Sequence, residues 1–223
     1  MAGGISSKFK FEDRFLHERQ LRALGIARVA GVDEVGRGPL AGPVVAGAFI
    51  FPSEIIDTEL PEELRGLTDS KQLTSVKRER YAELLTLLPG AEWRLIELSA
   101  SEVDRLNILR ATHEAMRQAL AAFVSPPQHA LVDGLPAKGL PVPQTALVKG
   151  DARSYSIAAA SVLAKVHRDR LMVEYDRQFP GYGFAANKGY GTPEHLEAIR
   201  RLGPCPIHRQ SFAPMNAEQL ELL

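Results

Sequence analysis

Two adjacent carboxylates, Asp33 and Glu34, follow an apolar segment of the sequence and stand just before a turn made of Gly36, Arg37 and Gly38. Glycine lets backbone N–H groups approach an anionic ligand closely, and the forked guanidinium group of arginine suits phosphate. Adjacent residues of a strand point to opposite faces, so both acids reach one ion only if the chain bends. The pattern indicates a site for a metal ion and a phosphate or, alternatively, an ordinary polar turn after a strand.

Two further acids end apolar segments later in the chain. Asp133 follows residues 129–132 and precedes a glycine, and Asp151 follows residues 145–148 and a Lys-Gly pair. Taken singly, Asp133 is typical of an Asp-Gly turn and Asp151 of a residue that caps a helix. If the three apolar segments are neighbouring strands of one sheet, their acids converge at one edge of it.

A group of four carboxylates requires cations to offset its charge. Two carboxylates about 4 Å apart repel by about 4 kcal/mol at an effective dielectric near 20. Oxygen ligands, without paired cysteine or histidine spacing, favour Mg²⁺ or Mn²⁺ over zinc. Two such ions about 3.5–4 Å apart clamp the attacking and leaving oxygens of a phosphodiester. The sequence therefore predicts phosphodiester hydrolysis with two Mg²⁺ or Mn²⁺ ions as cofactors.

Seven stretches of the sequence occur in the order found in type 2 ribonucleases H, and the chain specifically resembles bacterial ribonuclease HII from about Ala30 to Phe212. These stretches are Gly31–Val44, Asp69–Leu73, Val132–Gly134, Lys149–Asp151, Ala158–Val166, Lys188–Thr192 and His208–Phe212. The resemblance implies an α/β ribonuclease H-like fold with a mixed central sheet flanked by helices. It also implies an endonuclease that hydrolyses the RNA strand of RNA–DNA hybrids and nicks duplex DNA on the 5′ side of an embedded ribonucleotide. The products would carry 3′-hydroxyl and 5′-phosphate ends.

The resemblance assigns roles to individual residues. The family's four metal-binding carboxylates correspond to Asp33, Glu34, Asp133 and Asp151. The turn from Gly36 to Gly38 would read the ribose 2′-hydroxyl beside the scissile phosphate together with Tyr190. The 2′-hydroxyl is the group that distinguishes RNA from DNA. The alternative for Tyr190 is a loop aromatic that covers the core.

The charge is balanced overall but unevenly distributed. The 27 basic and 27 acidic residues give a net charge of zero, unlike the strongly basic footprint of many nucleic-acid binders. Between residues 149 and 209, ten Lys or Arg stand against six Asp or Glu. Candidate phosphate contacts there are Lys149, Arg153, Lys165, Arg168, Lys188 and Arg209, and the resemblance adds Lys71. We expect Arg170, Arg177, Arg200 and Arg201 to form a solvated face. A modest basic patch predicts modest affinity with a clear dependence on salt.

Length and composition predict one substantial domain. The chain has 223 residues, of which 45% are hydrophobic. Its only cysteine, Cys205, excludes an intrachain disulfide and is expected to be a packing residue. With no apolar run of membrane-spanning length and no signal-peptide pattern, we expect a cytoplasmic monomer without a membrane partner. We expect an N-terminal helical extension over 1–27, a catalytic domain over 28–212 with a helical part from about 180, and a tail over 213–223.

Hydrophobic patterns and turn signals predict alternating strands and helices. Strands are predicted at 28–33, 44–51 and 93–98, in the segment that ends at Asp133 and in the one that ends near Lys149. The first two are expected to pair as a hairpin. Helices are predicted at 11–24, from 74 to just before Pro89, at 108–123, at 156–178 and from Thr192 to Gly203. In the second helix the expected buried residues are Val76, Tyr81, Leu84, Leu85 and Leu88.

The six histidines show no pair with the spacing of a zinc protease. We expect His113, His129 and His195 on the surface or in helices, and His208 in a packing or capping role. Metal-bound water makes a histidine base unnecessary.

The last five residues, Gln219–Leu223, resemble short peptides that dock on bacterial replication sliding clamps. Leu223 stands where such peptides usually carry an aromatic residue, and the end of an amphipathic helix looks similar. A sliding clamp is therefore a candidate partner, beside RNA–DNA hybrids and duplex DNA that contains ribonucleotides.

Two other function classes fit parts of the pattern. A DNA-directed nuclease or resolvase would share the carboxylates but has no reason to require a 2′-hydroxyl, so the Gly-Arg-Gly turn and Tyr190 argue against it. A non-catalytic hybrid-binding module would be expected to lack one or more of the acids, and all four are present.

Overall fold

A five-stranded mixed sheet forms the centre of the protein, as seen in a computed structural model that describes residues 13–215. The strands are β1 (Val29–Val35), β2 (Val44–Ile50), β3 (Glu92–Leu98), β4 (His129–Asp133) and β5 (Gln144–Leu147). Their order across the sheet is β3-β2-β1-β4-β5. The β1–β2 and β2–β3 pairs are antiparallel, whereas β1–β4 and β4–β5 are parallel. The predicted mixed sheet and the predicted hairpin of the first two strands are confirmed.

Eight α-helices surround the sheet within the described residues. They are α1 (Leu16–Ala23), α2 (Ser53–Asp57), α3 (Ser75–Thr86), α4 (Ala100–Leu106), α5 (Ile108–Ala121), α6 (Tyr155–Gln178), α7 (Phe184–Asn187) and α8 (Pro193–Leu202). The sequence patterns predicted α3, α5, α6 and α8 closely. They missed α4, although Ser99 and Glu102 form a reciprocal capping box at its start, which is a recognisable sequence signal.

The two faces of the sheet are covered by α5 and α6. Small residues of α6, Ala158 to Ala160, are fully buried. A Cβ atom built on Gly31 of β1 would lie 2.0 Å from the carbonyl carbon of Ser156, so only glycine permits this close approach. On the other face, Ala111, Ala115 and Leu120 of α5 pack against alternate residues of β1, β2 and β4. The small residues of α6 thus allow this helix to pack closely against the sheet.

Helix α3 differs from the prediction at one residue. Tyr81 and Leu85 are buried, and Leu84 and Leu88 pack partly against the same cluster. The prediction for Val76 was wrong, because its side chain is 77% exposed. Val76 precedes Tyr81 by five positions, which places Val76 about 140° around the helix from Tyr81.

The C-terminal part is helical, as predicted, and forms its own small core. Phe184 of α7 and Ile199 of α8 are buried with Leu40 and with Met172 of α6. Within residues 13–215, none of the helices combines the length and apolar character needed to span a bilayer. The start of the first predicted helix at Phe11 and the segment Gln219–Leu223 lie outside the described residues.

Candidate active site

The parallel strands bring the predicted carboxylates to one edge of the sheet. The register pairs Val32 of β1 with Val132 of β4, so the next residues, Asp33 and Asp133, stand side by side. Asp151 lies in a 3₁₀ turn, Gly150–Ala152, that follows β5. Strand β1 continues through Val35, so the bend expected at the acids lies beyond them.

All four predicted carboxylates line one cavity of about 200 Å³. Its lining comprises Asp33, Glu34, Val35, Asp69, Ser70, Lys71, Asp133, Asp151, Ser161, Lys165 and Tyr190. Seven of these residues were predicted as site residues from the sequence. The sequence did not identify Asp69, Ser70 and Ser161 as site residues, although Asp69 and Ser70 belong to the Asp69–Leu73 stretch that resembles the family.

Asp133 organises the turn that carries Asp151. Its Oδ1 accepts a hydrogen bond from the backbone N–H of Gly150 at 2.6 Å and a longer one from that of Asp151 at 3.4 Å. Lys149 adopts a left-handed backbone conformation with φ of 56° just before the turn. A non-glycine residue in this region is uncommon and is often found at functional sites.

Burial and mutual repulsion disfavour the charged forms of the carboxylates. Burial raises the pKa of Asp33 well above its ordinary value, and the charges of Glu34 and Asp133 add to the effect. The pKa of Glu34 is also raised by burial, against the opposing influence of Arg37. Burial, followed by the charges of Asp133 and Asp69, raises the pKa of Asp151 to about 6. The cavity therefore holds more negative charge than its surroundings neutralise.

This donor set fits a hard divalent cation. Within residues 13–215, no three His, Cys, Asp or Glu residues stand in a ready-made metal-binding arrangement. The fit therefore rests on chemistry: carboxylate oxygens are the preferred ligands of Mg²⁺ and Mn²⁺. A cation would also offset the repulsion that raises the pKa values of Asp33, Glu34 and Asp151.

The predicted glycine–arginine turn lies at the rim of this cavity. Arg37 is exposed and donates a hydrogen bond from Nη1 to Oε1 of Glu34 at 3.2 Å. A Cβ atom built on Gly38 would lie 3.6 Å from Cε1 of Tyr190, so the tyrosine ring packs beside the turn. Tyr190 is 43% exposed and thus presents its ring to a ligand as well. The structure brings these predicted partners together.

The predicted basic residues fall into two groups. Lys71 and Lys165 line the cavity, and Lys165 forms an ion pair with Asp169 at 2.7 Å. Lys149 and Arg153 are exposed beside the turn of Asp151 but do not line the cavity. The ammonium group of Lys188 donates to the carbonyl oxygen of Ala185 at 2.7 Å, also outside the cavity.

The prediction that Arg168 and Arg209 contact phosphate was wrong. Both side chains are fully buried, and their guanidinium groups donate to backbone carbonyl oxygens. The local excess of basic residues suggested a solvent-facing role, but it did not reveal which side chains pack inside. Burial and the nearby Arg168 lower the pKa of Arg209 to about 9, which leaves it charged at neutral pH.

Two of the histidines form a buried pair next to Tyr190. Nε2 of His195 and Nε2 of His208 are 3.1 Å apart, and Nδ1 of His208 accepts from the backbone N–H of Cys205 at 2.9 Å. The predicted packing role of His208 is confirmed, and His195 lies in α8. The prediction for His129 was wrong, because it is a buried residue of β4 with Nε2 2.9 Å from Oγ1 of Thr145.

Arg14 is a site neighbour that the sequence did not reveal. Its guanidinium group donates to the backbone carbonyl oxygens of Leu67 and, at 2.6 Å, of Asp151. The segment just before α1 therefore anchors the turn that holds one of the cavity's carboxylates. No local sequence signal distinguishes this arginine from a solvated one.

Comparisons with known proteins agree with this picture. The family model described as Ribonuclease HII matches residues 30–215. A ribonuclease HII of Moorella thermoacetica is 50% identical over 212 residues, which are 95% of this chain and 99% of the relative. The crystal structure of the ribonuclease H2 from Pyrococcus horikoshii is 29% identical with a TM-score of 0.71, over 87% of this chain and 97% of that one.

Two more distant structures show the same fold. Bst ribonuclease HIII in complex with Mn²⁺ is 19% identical with a TM-score of 0.63, over 99% of this chain and 77% of that one. The Archaeoglobus fulgidus ribonuclease HII in its complex with PCNA is 23% identical with a TM-score of 0.66, over 83% and 95% of the two chains. These matches confirm the predicted ribonuclease H-like fold.

Proposed function

Because the chain belongs to the ribonuclease HII family and is an endoribonuclease with ribonuclease H activity, we propose that it also nicks duplex DNA at embedded ribonucleotides. Cleavage would occur on the 5′ side of the ribonucleotide and leave 3′-hydroxyl and 5′-phosphate ends. The same centre would hydrolyse the RNA strand of RNA–DNA hybrids.

One observation carries this proposal. Four carboxylates from β1, β4 and the turn after β5 line a single cavity, whose lining also includes Tyr190 beside Gly38. The carboxylates supply ligands for the chemistry, and the turn with Tyr190 supplies a feature for recognising ribose. A nuclease that ignored the sugar would need only the carboxylates.

We propose that the cavity binds two divalent ions, Mg²⁺ or Mn²⁺, through Asp33, Glu34, Asp133 and Asp151. Such ions, when bound, would activate water and stabilise the leaving 3′ oxygen. The Mn²⁺ seen in the ribonuclease HIII complex is consistent with this class of ion. The hydrogen bond from the N–H of Gly150 fixes the orientation of the Asp133 carboxylate, one of the four groups that would hold the ions.

The turn and Tyr190 would recognise the sugar. Backbone groups of Gly36 and Gly38, with the exposed Arg37, would contact the ribose 2′-hydroxyl and its adjacent phosphate. The exposed ring of Tyr190 would work with this turn at the RNA–DNA junction. A fixed hydrogen-bonding surface rejects a sugar without the hydroxyl because its own polar groups are then left unpaired.

Basic residues around the cavity would hold the flanking phosphates. Lys71 and Lys165 line the cavity and would contact phosphates nearest the cleavage point. Lys149, Arg153 and Lys188 lie farther out and would contact the strand beyond it. Such contacts position the duplex without reading sequence.

Further parts of the proposal concern organisation and partners. We propose a catalytic domain over 28–212, a helical extension before it and a short tail after it, in a cytoplasmic monomer. The tail Gln219–Leu223 would bind a sliding clamp. The complex of the Archaeoglobus fulgidus enzyme with PCNA shows a clamp partner for that distant relative.

Cleavage of two labelled duplexes tests the proposed function. One duplex contains a single ribonucleotide, the other is all DNA, and each is incubated with Mg²⁺, with Mn²⁺ and with EDTA. We expect metal-dependent nicking 5′ of the ribonucleotide and an intact all-DNA duplex. Cutting of both duplexes would indicate a general nuclease. Cutting of neither, with a long hybrid cleaved, would restrict the activity to hybrids.

A further inference from the structure

Arg168 of α6 and Arg209, which follows α8, are two fully buried arginines beside the active-site turn. Each hydrogen bond described for their side chains goes to a backbone carbonyl oxygen. Burying a guanidinium group is costly unless its donors are satisfied. The carbonyl oxygens that satisfy them therefore belong to segments that these arginines hold in place.

Arg209 holds the turn itself. Its Nη2 donates to the carbonyl oxygen of Gly36 at 2.6 Å, and its Nη1 donates to that of Arg37 at 3.1 Å. Its Nε and Nη2 both donate to the carbonyl oxygen of Gly42, at 3.0 and 2.9 Å. One side chain thus fixes the start and the end of the loop that contains Gly38.

Arg168 joins this loop to the one that carries Tyr190. Its Nε donates to the carbonyl oxygen of Pro43 at 2.9 Å, and its Nη2 donates to that of Ala41 at 3.0 Å. Its Nη1 reaches the carbonyl oxygen of Lys188 at 3.0 Å, two residues before Tyr190. A Cβ atom built on Gly36 would lie 2.4 Å from Nε of Arg168, so the turn packs directly on the guanidinium group.

Backbone bonds complete the connection between the two loops. The N–H of Leu40 donates to the carbonyl oxygen of Gly189 at 2.8 Å, and the N–H of Arg209 donates to that of Leu40 at 2.8 Å. The carbonyl oxygen of Tyr190 is 2.8 Å from Nδ1 of His195. The turn, the Tyr190 loop and the segment around Arg209 thus form one hydrogen-bonded unit.

We infer that Arg168 and Arg209 are positioning residues for recognition of the ribose 2′-hydroxyl, because they hold the Gly36–Gly38 turn and Tyr190 in one fixed arrangement. This inference rests on the proposed function of that turn. Neither arginine touches the nucleic acid, since both are fully buried. Their effect is to fix the direction of the turn's backbone groups before the substrate arrives. Preorganised groups of this kind need no reordering during binding or reaction.

Substitution of each arginine by lysine separates positioning from charge. Arg168→Lys and Arg209→Lys each keep the positive charge but lose the planar fork that bonds several carbonyl oxygens at once. Arg94→Lys is the matched control. Its guanidinium group also donates to backbone carbonyl oxygens, those of Trp93 and Ala122, but it lies on β3 outside the cavity lining.

Two measurements are made on all four proteins. The first is kcat/KM for a duplex with one ribonucleotide. The second is the ratio of Kd for an all-DNA duplex to Kd for the ribonucleotide duplex, measured by fluorescence anisotropy in EDTA, where both stay intact. For both active-site variants we expect kcat/KM to fall at least about tenfold, as for a small misplacement of reacting groups. We expect the Kd ratio to fall toward one while the Kd for all-DNA duplex is unchanged.

The remaining outcomes distinguish this inference from its alternatives. Thermal melts of each variant show whether it is folded, and only folded variants are measured. If one of the two arginine variants unfolds, the other still tests the inference. Weaker binding of the all-DNA duplex would indicate a phosphate contact and overturn the inference. The inference would also be overturned if both variants kept the Kd ratio of the wild type and had the same kcat/KM as the Arg94→Lys control. A wild-type protein that neither cleaves nor prefers the ribonucleotide duplex would instead contradict the proposed function.

Discussion

Replacing Asp151 by asparagine should stabilise the metal-free protein. Burial and the neighbouring charges of Asp133 and Asp69 raise the pKa of Asp151 from 3.8 to about 6. The folded protein therefore binds a proton more tightly there than the unfolded chain does. Stability falls as the pH rises from about 4 through about 6, and the loss is complete above that range.

The size of the effect follows from this rise in pKa. A rise of about two pKa units corresponds to about 3 kcal/mol of unfolding free energy. Because the side chain is only partly buried, solvent screening reduces this to about 1 kcal/mol. The Asp151→Asn variant at pH 8 in EDTA should therefore melt about 2–4 °C above the wild type. Near pH 4 the two proteins should melt at similar temperatures.

Added Mg²⁺ or Mn²⁺ should reverse the ranking at pH 8. A cation that binds only the folded state stabilises it, and the wild type has one more charged ligand for it than the variant. The Asp176→Asn variant removes a carboxylate of α6 that does not line the cavity, and it should respond to the cation as the wild type does. An Asp151→Asn variant that is no more stable than the wild type in EDTA at pH 8 would show that the charged Asp151 does not destabilise the metal-free protein.

Three further predictions concern catalysis, pH and partners. Asp33→Asn should lower turnover at least about a hundredfold, the scale of losing one major electrostatic contribution. Its duplex affinity should persist, and normal turnover at saturating metal would remove Asp33 from the mechanism. His208 is buried, and burial together with His195 lowers its pKa to about 4. The neutral form of His208 should therefore contribute about 2–3 kcal/mol to the free energy of unfolding. This contribution should be lost as the pH falls from about 6.5 to about 4. Denaturant titrations at several pH values should then show a free energy of unfolding that depends less on pH for His208→Gln than for the wild type. An equal pH dependence of the two proteins would contradict this prediction. Deletion of Gln219–Leu223 should abolish binding to the cognate sliding clamp without changing nuclease turnover; an intact protein that fails to bind the clamp would end that hypothesis.

The arrangement of the carboxylates was predictable because it depends on local patterns and one rule of sheet geometry. Short apolar segments that end in acids predict strands, and parallel neighbours place their ends at a common edge. The register of Val32 with Val132 then brings Asp33 beside Asp133. The resemblance to the family added the roles of Gly38 and Tyr190, which the structure places beside each other.

The supporting residues were not predictable from local patterns. Arg168 and Arg209 resemble phosphate contacts in the sequence, and only the tertiary packing shows them to be buried. Arg14 reaches Asp151 across a separation of 137 residues, which no spacing rule captures. Asp69 was within a noted motif, but its influence on Asp151 depends on how two distant loops meet.

The proposed activity is tested most directly by cleavage of a duplex with one ribonucleotide beside its all-DNA counterpart, with and without divalent metal. We expect a single metal-dependent nick on the 5′ side of the ribonucleotide, with the all-DNA duplex uncut and both duplexes intact in EDTA. Equal cleavage of the two duplexes, or cleavage that persists in EDTA, would contradict it.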